Sequence, residues 1–165
     1  MKKKNLLFLV TGQVQERKGV FDFAKLAEEL PDVQFIWAGG FSFGKMTDGY
    51  EKYKKLMEQP PSNLKFVGII DRTEMLDYYN LADIFLLPSY NELFPMCILE
   101  AFSSETPVVL RDLPLYRPVI DGYYKPAADR AEMNKILREL QQNKKEYESL
   151  KDAAIQGNLA IQKSD

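Results

Sequence analysis

The chain has no histidine and a single cysteine, Cys97, in 165 residues. Without histidine there can be no His–Cys zinc site, no Ser–His–Asp triad and no histidine general base. One cysteine excludes an internal disulfide framework and fits a reducing compartment. A dense basic block is also missing. The net charge is −2, so broad attraction to nucleic acid or to anionic lipid is not signalled. No apolar run is long enough to span a bilayer. The run over residues 6–10, behind Met1-Lys2-Lys3-Lys4-Asn5, is too short for a signal segment, and the lysines read as a solvated tail. A cytoplasmic location is expected. Any chemistry must come from carboxylates, basic side chains, hydroxyls or backbone amides, with no metal site and no cofactor anticipated.

What is present is globular, with 45% apolar and 28% charged residues. The length suits one domain over residues 1–165, and no repeat, low-complexity tract or linker interrupts it. Short apolar runs over residues 6–11, 33–38, 64–67, 84–87 and 107–110 read as strands. Helical patterns over 20–30, 48–59, 71–81 and 94–103 separate them. Strands apolar throughout and divided by helices predict a parallel sheet covered on both faces, a doubly wound, Rossmann-like α/β fold. In such sheets ligands bind beyond the carboxyl ends of the strands. The loops there are residues 12–19, 39–44 (with Phe41, Phe43 and Gly44), 68–71, 88–95 and 111–116. After about residue 116 the pattern changes to charged amphipathic helices over 129–142 and 144–157, expected to pack on an edge of the sheet or on something not present in this chain.

Three segments carry candidate chemistry. Residues 12–19 leave a strand and enter a helix, with Arg17 and Lys18 at the helix start. Free amides, the helix dipole and two cations there suit a phosphate or diphosphate. The Gly-x-Gly-x-x-Gly and Walker patterns are absent, and a plain surface basic pair is the alternative. The second segment runs from Ser89 through Glu92 to Glu100. Pro95 suits a first helical turn, and Asn91 or Glu92 is a possible cap. Glu100 stands amid Cys97, Ile98, Leu99, Ala101 and Phe102, where burying an acid needs a partner such as a hydroxyl-rich ligand. A solvent-facing Glu100 is the bland alternative. A glycosidase carboxylate pair fits poorly, because Glu100 lies too far along the helix. The third segment, Gly68-Ile69-Ile70-Asp71, would set backbone and an Ile face against a base, or is an ordinary turn capped by Asp71. A receiver-domain reading fails because Thr11-Gly12-Gln13 and Val67-Gly68 stand where its acids belong.

These residues together resemble a known family. Gly12 with Arg17-Lys18-Gly19, then Leu30-Pro31-Asp32-Val33-Gln34-Phe35, Gly39, Asn63-Leu64-Lys65-Phe66-Val67-Gly68, Tyr79 through Ser89, Glu92-x7-Glu100-Ala101 and Pro107-Val108-Val109 occur in order. The set is similar to the C-terminal, donor-binding half of a GT-B glycosyltransferase of the retaining GT4 type. Arg111-Asp112-Leu113 and the first loop also resemble bacterial enzymes that glycosylate diacylglycerol or cell-surface acceptors.

The resemblance implies roles. Lys18, helped by Arg17 beside Gly12, would hold the diphosphate of a nucleotide-sugar, a UDP-hexose. Glu92 would bond hydroxyls of the donor sugar. Amides near Phe94 and Met96 would reach the diphosphate or sugar. Glu100 would accept the ribose hydroxyls, and Ile70 would line the base pocket. It further implies a missing N-terminal acceptor domain, membrane association only through that half, and an isolated chain that binds donor weakly and transfers nothing. Gln13, where relatives carry Arg, and Pro95, where they carry Gly, depart from the pattern. They favour the rival, a non-catalytic interaction module with a degenerate pocket.

Overall fold

The computed structural model describes residues 6–41 and 49–163. Residues 1–5, Phe43, Gly44 and Asp48, assigned above to a tail, a loop and a helix start, lie outside the described residues. Six strands form one parallel sheet: β1 (Leu7–Thr11), β2 (Gln34–Ala38), β3 (Leu64–Gly68), β4 (Ile84–Leu87), β5 (Val108–Arg111) and β6 (Lys125–Ala127). Their order is β3-β2-β1-β4-β5-β6, the doubly wound Rossmann arrangement. Helices α1 (Val20–Glu29), α2 (Tyr50–Glu58), α3 (Arg72–Leu81), α4 (Met96–Ser103), α5 (Arg117–Ile120), α6 (Arg130–Gln142) and α7 (Lys144–Lys163) connect and cover it, and Glu16–Lys18 form a 3-10 turn.

The apolar runs explain the centre of the sheet. Every residue of β4 and β5 is buried, as strands covered on both faces require. Against β1 and β2, α1 inserts Val20, Phe23, Ala24 and Ala27 at helical spacing. The Phe23 ring meets Phe35 and Trp37 edge-on, with centroids 5.1 and 5.4 Å away. Asp71 caps α3 as expected, accepting from the amides of Thr73 and Glu74 at 3.0 and 3.1 Å. The Thr73 hydroxyl bond and these amides hold the Asp71 carboxyl below its ordinary pKa.

The C-terminal third differs from expectation in two ways. Residues 125–127 form a sixth strand that the apolar pattern did not announce, because Lys125-Pro126-Ala127 buries only Ala127 fully and sits at the sheet edge, where a proline is tolerated. The last helix runs on to Lys163 instead of stopping at Gly157. There the glycine is a packing position: a Cβ would lie 3.0 Å from Tyr123 Cβ and 3.1 Å from the Phe102 ring. Its bare backbone lets α7 press onto α4, while α6 packs on α1 and β6. These helices cover the sheet's layers, not only an edge. No helix among the described residues is long and apolar enough to cross a membrane.

Gly39, at the end of β2, supports the floor of the crevice described next. A Cβ on it would come 1.8 Å from the Gly12 carbonyl oxygen, a backbone atom that cannot yield. Gly39→Ala is therefore expected to lower stability by about 3 kcal/mol, read as a lower midpoint in thermal or urea unfolding.

Candidate functional site

The winding of the sheet reverses between β1 and β4, which are neighbours although far apart in the chain. Loops leaving adjacent strands at such a point diverge to opposite faces and open a crevice. Here the loops are residues 12–19 and 88–95, two of the segments singled out from the sequence.

The first loop closes through the 3-10 turn onto Gly19, which is left-handed at φ 81°. A Cβ on Gly19 would sit 2.4 Å from the Pro88 carbonyl oxygen, so glycine is what lets the loops touch. The next backbone step turns the Lys18 side chain over Gly12, close enough that its Cδ, Cε and Nζ lie 3.6 to 3.8 Å from where a Gly12 Cβ would be. Lys18 Nζ then meets Glu92 Oε1 at 2.5 Å. Ser89 Oγ donates to the same oxygen at 2.8 Å. The two side chains are 15% and 5% exposed, and pairing is what makes such burial tolerable. The Gly12 amide donates to Ala38 at 3.0 Å, and its carbonyl accepts the Trp37 indole N–H at 2.8 Å. Both backbone groups of Gly12 are thereby held.

Arg17 does not join Lys18 in the crevice. It is exposed, and its Nη1 donates to the Asn91 carbonyl at 3.2 Å from outside. The expected basic pair is one inward cation and one outward brace.

Helix α4 begins two residues later than expected. Pro95 is the N-cap and Met96 the first helical residue. Phe94 stays outside because a residue before proline is kept from helical geometry. Neither Asn91 nor Glu92 caps the helix, since the Glu92 carboxylate is occupied by Lys18 and Ser89. Phe94 instead packs edge-on against Tyr116, centroids 6.1 Å apart, and the Met96 side chain is 65% exposed. As at any helix start, the first amides, from Met96 and Cys97, have no helical partner.

Glu100 is exposed, contrary to the burial argued from its apolar neighbours. The helical period turns Ile98, Ala101 and Phe102 into the core and leaves Glu100, one turn past Met96, on the outward stripe. Its acid therefore needs no ligand to explain it. It does line a cavity of about 440 Å³ with Ile70, Met75, Tyr79 and Ser103. Ile70 and Glu100, distant in sequence, share one pocket, while Ile69 is 86% exposed.

Cys97 lies between this pocket and the crevice. Burial pushes its thiol up to about 11; a Thr11 hydroxyl bond and the Lys18 charge oppose this, and Glu92 and Glu100 add to it. Burial also pushes the Tyr79 phenol up, with Cys97 and Glu100 contributing and a Thr11 bond opposing. That phenol donates to the Cys97 carbonyl at 3.4 Å. The Lys18, Glu92 and Glu100 charges all act on the thiol of Cys97, the second residue of α4. Among the described residues no group of His, Cys, Asp or Glu is clustered to hold a metal ion.

The family profile described as "Glycosyl transferases group 1" matches residues 1–157. The chain belongs to this family. It is 59% identical over 143 residues to the alpha-galactosylglucosyldiacylglycerol synthase of Streptococcus pneumoniae R6, a match that takes in 87% of this chain and 38% of that protein. The C-terminal domain of a group 1 glycosyl transferase, LpcC of Francisella tularensis, superposes with a TM-score of 0.77 at 19% identity, over 94% of this chain and 85% of that one. Anabaena Alr3699/HepE, solved with UDP and glucose, gives 0.78 at 16% identity, over 97% of this chain and 48% of that one. These structures share the fold, the Rossmann-like half of a GT-B glycosyltransferase.

Within this glycosyltransferase domain several site neighbours have contacts that the sequence does not announce. Trp37 reads as a core residue in a strand, and nothing marks its hold on Gly12. Ser89 and Tyr79 belong to the ordered set that carries the resemblance, but nothing marks their bonds to Glu92 and to the Cys97 carbonyl. Tyr116 is fully buried, and its hydroxyl has no hydrogen-bond partner among the described residues. Burial raises its pKa and the Glu92 charge adds to it. Cys97 makes a checkable point: with a thiol near 11 against an ordinary 9.0, the thiolate fraction at pH 8 falls about 100-fold. Alkylation of the folded domain should be that much slower than of the unfolded chain, and should accelerate steadily as pH rises toward 11.

Proposed function

We propose that this domain binds the donor of a retaining, metal-independent hexosyltransferase, with UDP-hexose as donor and a lipid or glycan as acceptor. The observation that carries it is the Lys18–Glu92 pair at the switch point, beside the start of α4 and one side chain away from the Ile70–Glu100 pocket. The uracil would lie against Ile70, the ribose hydroxyls on Glu100, the diphosphate between Lys18 and the first amides of α4, and the sugar toward Glu92. The diacylglycerol-linked name of the S. pneumoniae relative supports the lipid class of acceptor, and the UDP and glucose of the Anabaena complex support the donor. The chain spans 38% of that relative, so the acceptor half and the transfer itself belong to the complete two-domain enzyme.

The chemistry follows from charge. As the sugar C1–O bond breaks, negative charge gathers on the departing UDP. Lys18 and the helix N-terminus stand where that charge grows, in a partly water-excluded crevice. The acceptor hydroxyl attacks C1 from the face the diphosphate leaves, and its proton passes to the leaving phosphate oxygen. Retention results, and no histidine base is required. Glu92 exchanges part of its bond to Lys18 for sugar hydroxyls as Lys18 turns to phosphate.

Calorimetry of the chain with UDP and UDP-glucose tests this. Binding of both in the micromolar to millimolar range is expected. No heat at millimolar ligand would leave the interaction-module reading in its place.

A further inference from the structure

Glu92 sits on a loop with few bonds of its own, yet its carboxylate is held within hydrogen-bond distance of two partners. Something outside the loop fixes it. Arg111, at the end of β5, is 7% exposed. Its Nε donates to the Pro88 carbonyl at 3.0 Å, and its Nη2 to Asp22 Oδ2 at 2.6 Å. Its guanidinium carbon lies 3.8 Å from the centre of the Tyr90 ring, and the Tyr90 hydroxyl donates to the same Asp22 oxygen. The three side chains close a ring. Asp22 is in the first turn of α1, and Arg130, from α6, reaches its other oxygen at 3.7 Å. From the ring, the Tyr90 amide runs to the Arg17 carbonyl at 2.8 Å. The carbonyl of Pro88, the ring of Tyr90 and the carbonyl of Arg17 are thus pinned, and Ser89, Glu92 and Lys18 hang from them.

We propose that Asp22, Tyr90 and Arg111 form a clamp that positions Glu92 for the sugar of the donor and holds Lys18 beside it; none of the three touches the donor itself. This rests on the donor-binding reading above. Only a guanidinium can serve the geometry, since it must donate in two directions and offer a flat face to a ring; an ammonium cannot do both. Packing alone does not account for it, because Tyr90 is 51% exposed and a buried charge pair is no better than apolar residues for stability.

The test uses Tyr90→Phe, Arg111→Lys and the parent chain. Lysine acetylation read by mass spectrometry, without ligand, reports whether Lys18 is still held by Glu92, with exposed Lys25 as the reference. Calorimetry reports the ratio of UDP-glucose to UDP affinity, and thermal unfolding confirms the fold. In Arg111→Lys, Lys18 labelling should rise about fivefold, and the affinity ratio should shift about tenfold against UDP-glucose with UDP itself changed less than about threefold. Tyr90→Phe, a half-exposed change that leaves the ring in place, should move both readouts the same way by less. Unchanged Lys18 labelling in both folded variants overturns the clamp. If the parent chain binds neither ligand, the donor reading falls, and the labelling still decides the clamp.

Discussion

Lys18→Met is expected to weaken UDP binding by about 100-fold and to lower stability by about 3 kcal/mol. The two losses have different origins. The stability loss arises because Glu92 is left nearly buried, with a Ser89 hydroxyl but no cation. An uncompensated buried charge is more damaging than the absence of the pair. The affinity loss arises because the diphosphate loses its inward cation, while Arg17, engaged with Asn91 on the outside, cannot replace it. The double variant Lys18→Met/Glu92→Gln separates them. With no stranded charge, its unfolding midpoint should return most of the way to that of the parent chain, while UDP affinity stays low. Thermal unfolding and calorimetry on the three proteins read both. Recovery of UDP binding together with stability would show that Lys18 acts only as a structural partner.

Glu100→Ala is expected to cost affinity alone: to leave stability within about 0.5 kcal/mol and to weaken UDP about 100-fold. The side chain is exposed on α4, so its removal opens no cavity, and the Tyr79 phenol that bonds to it keeps the Cys97 carbonyl at 3.4 Å. Its proposed work is accepting two ribose hydroxyls, and hydrogen bonds to a charged acceptor are among the stronger ones. The signature is in the analogues. The parent chain should prefer UDP to its 2′,3′-dideoxy form strongly, and Glu100→Ala should show nearly no preference. A preference that survives the substitution would assign the ribose to other residues.

The sequence made the sheet legible where burial is symmetrical. Ile84-Phe85-Leu86-Leu87 and Val108-Val109-Leu110 have no polar face, and that alone places them in the middle of a parallel sheet. It was silent where burial is partial: Lys125-Pro126-Ala127 gives an edge strand without an apolar run, and Gly157 reads as a stop although it is a contact. The site divides the same way. Lys18 and Glu92 could be picked out because charged residues in strand-to-helix loops are conspicuous. Their pairing could not, since it depends on how far the loops approach across Gly19 and Pro88. Glu100 reads as buried among apolar neighbours and is exposed instead, because an apolar stretch of helix still has an outer stripe. Asp22, Tyr90 and Arg111 lie in three separate elements, and no spacing rule joins them. Arg17, adjacent to Lys18 in sequence, points elsewhere because successive residues in a tight turn face different directions.

The most direct measurement is an amide NMR titration of the domain with UDP. Shifts concentrated at Gly12, Lys18, Ile70, Met96, Cys97 and Glu100, moving together with a single affinity, are expected if one nucleotide spans the crevice and the neighbouring pocket. Shifts confined to one of those two regions, or scattered over α2, α6 and α7 with Lys18 and Glu100 silent, would contradict it.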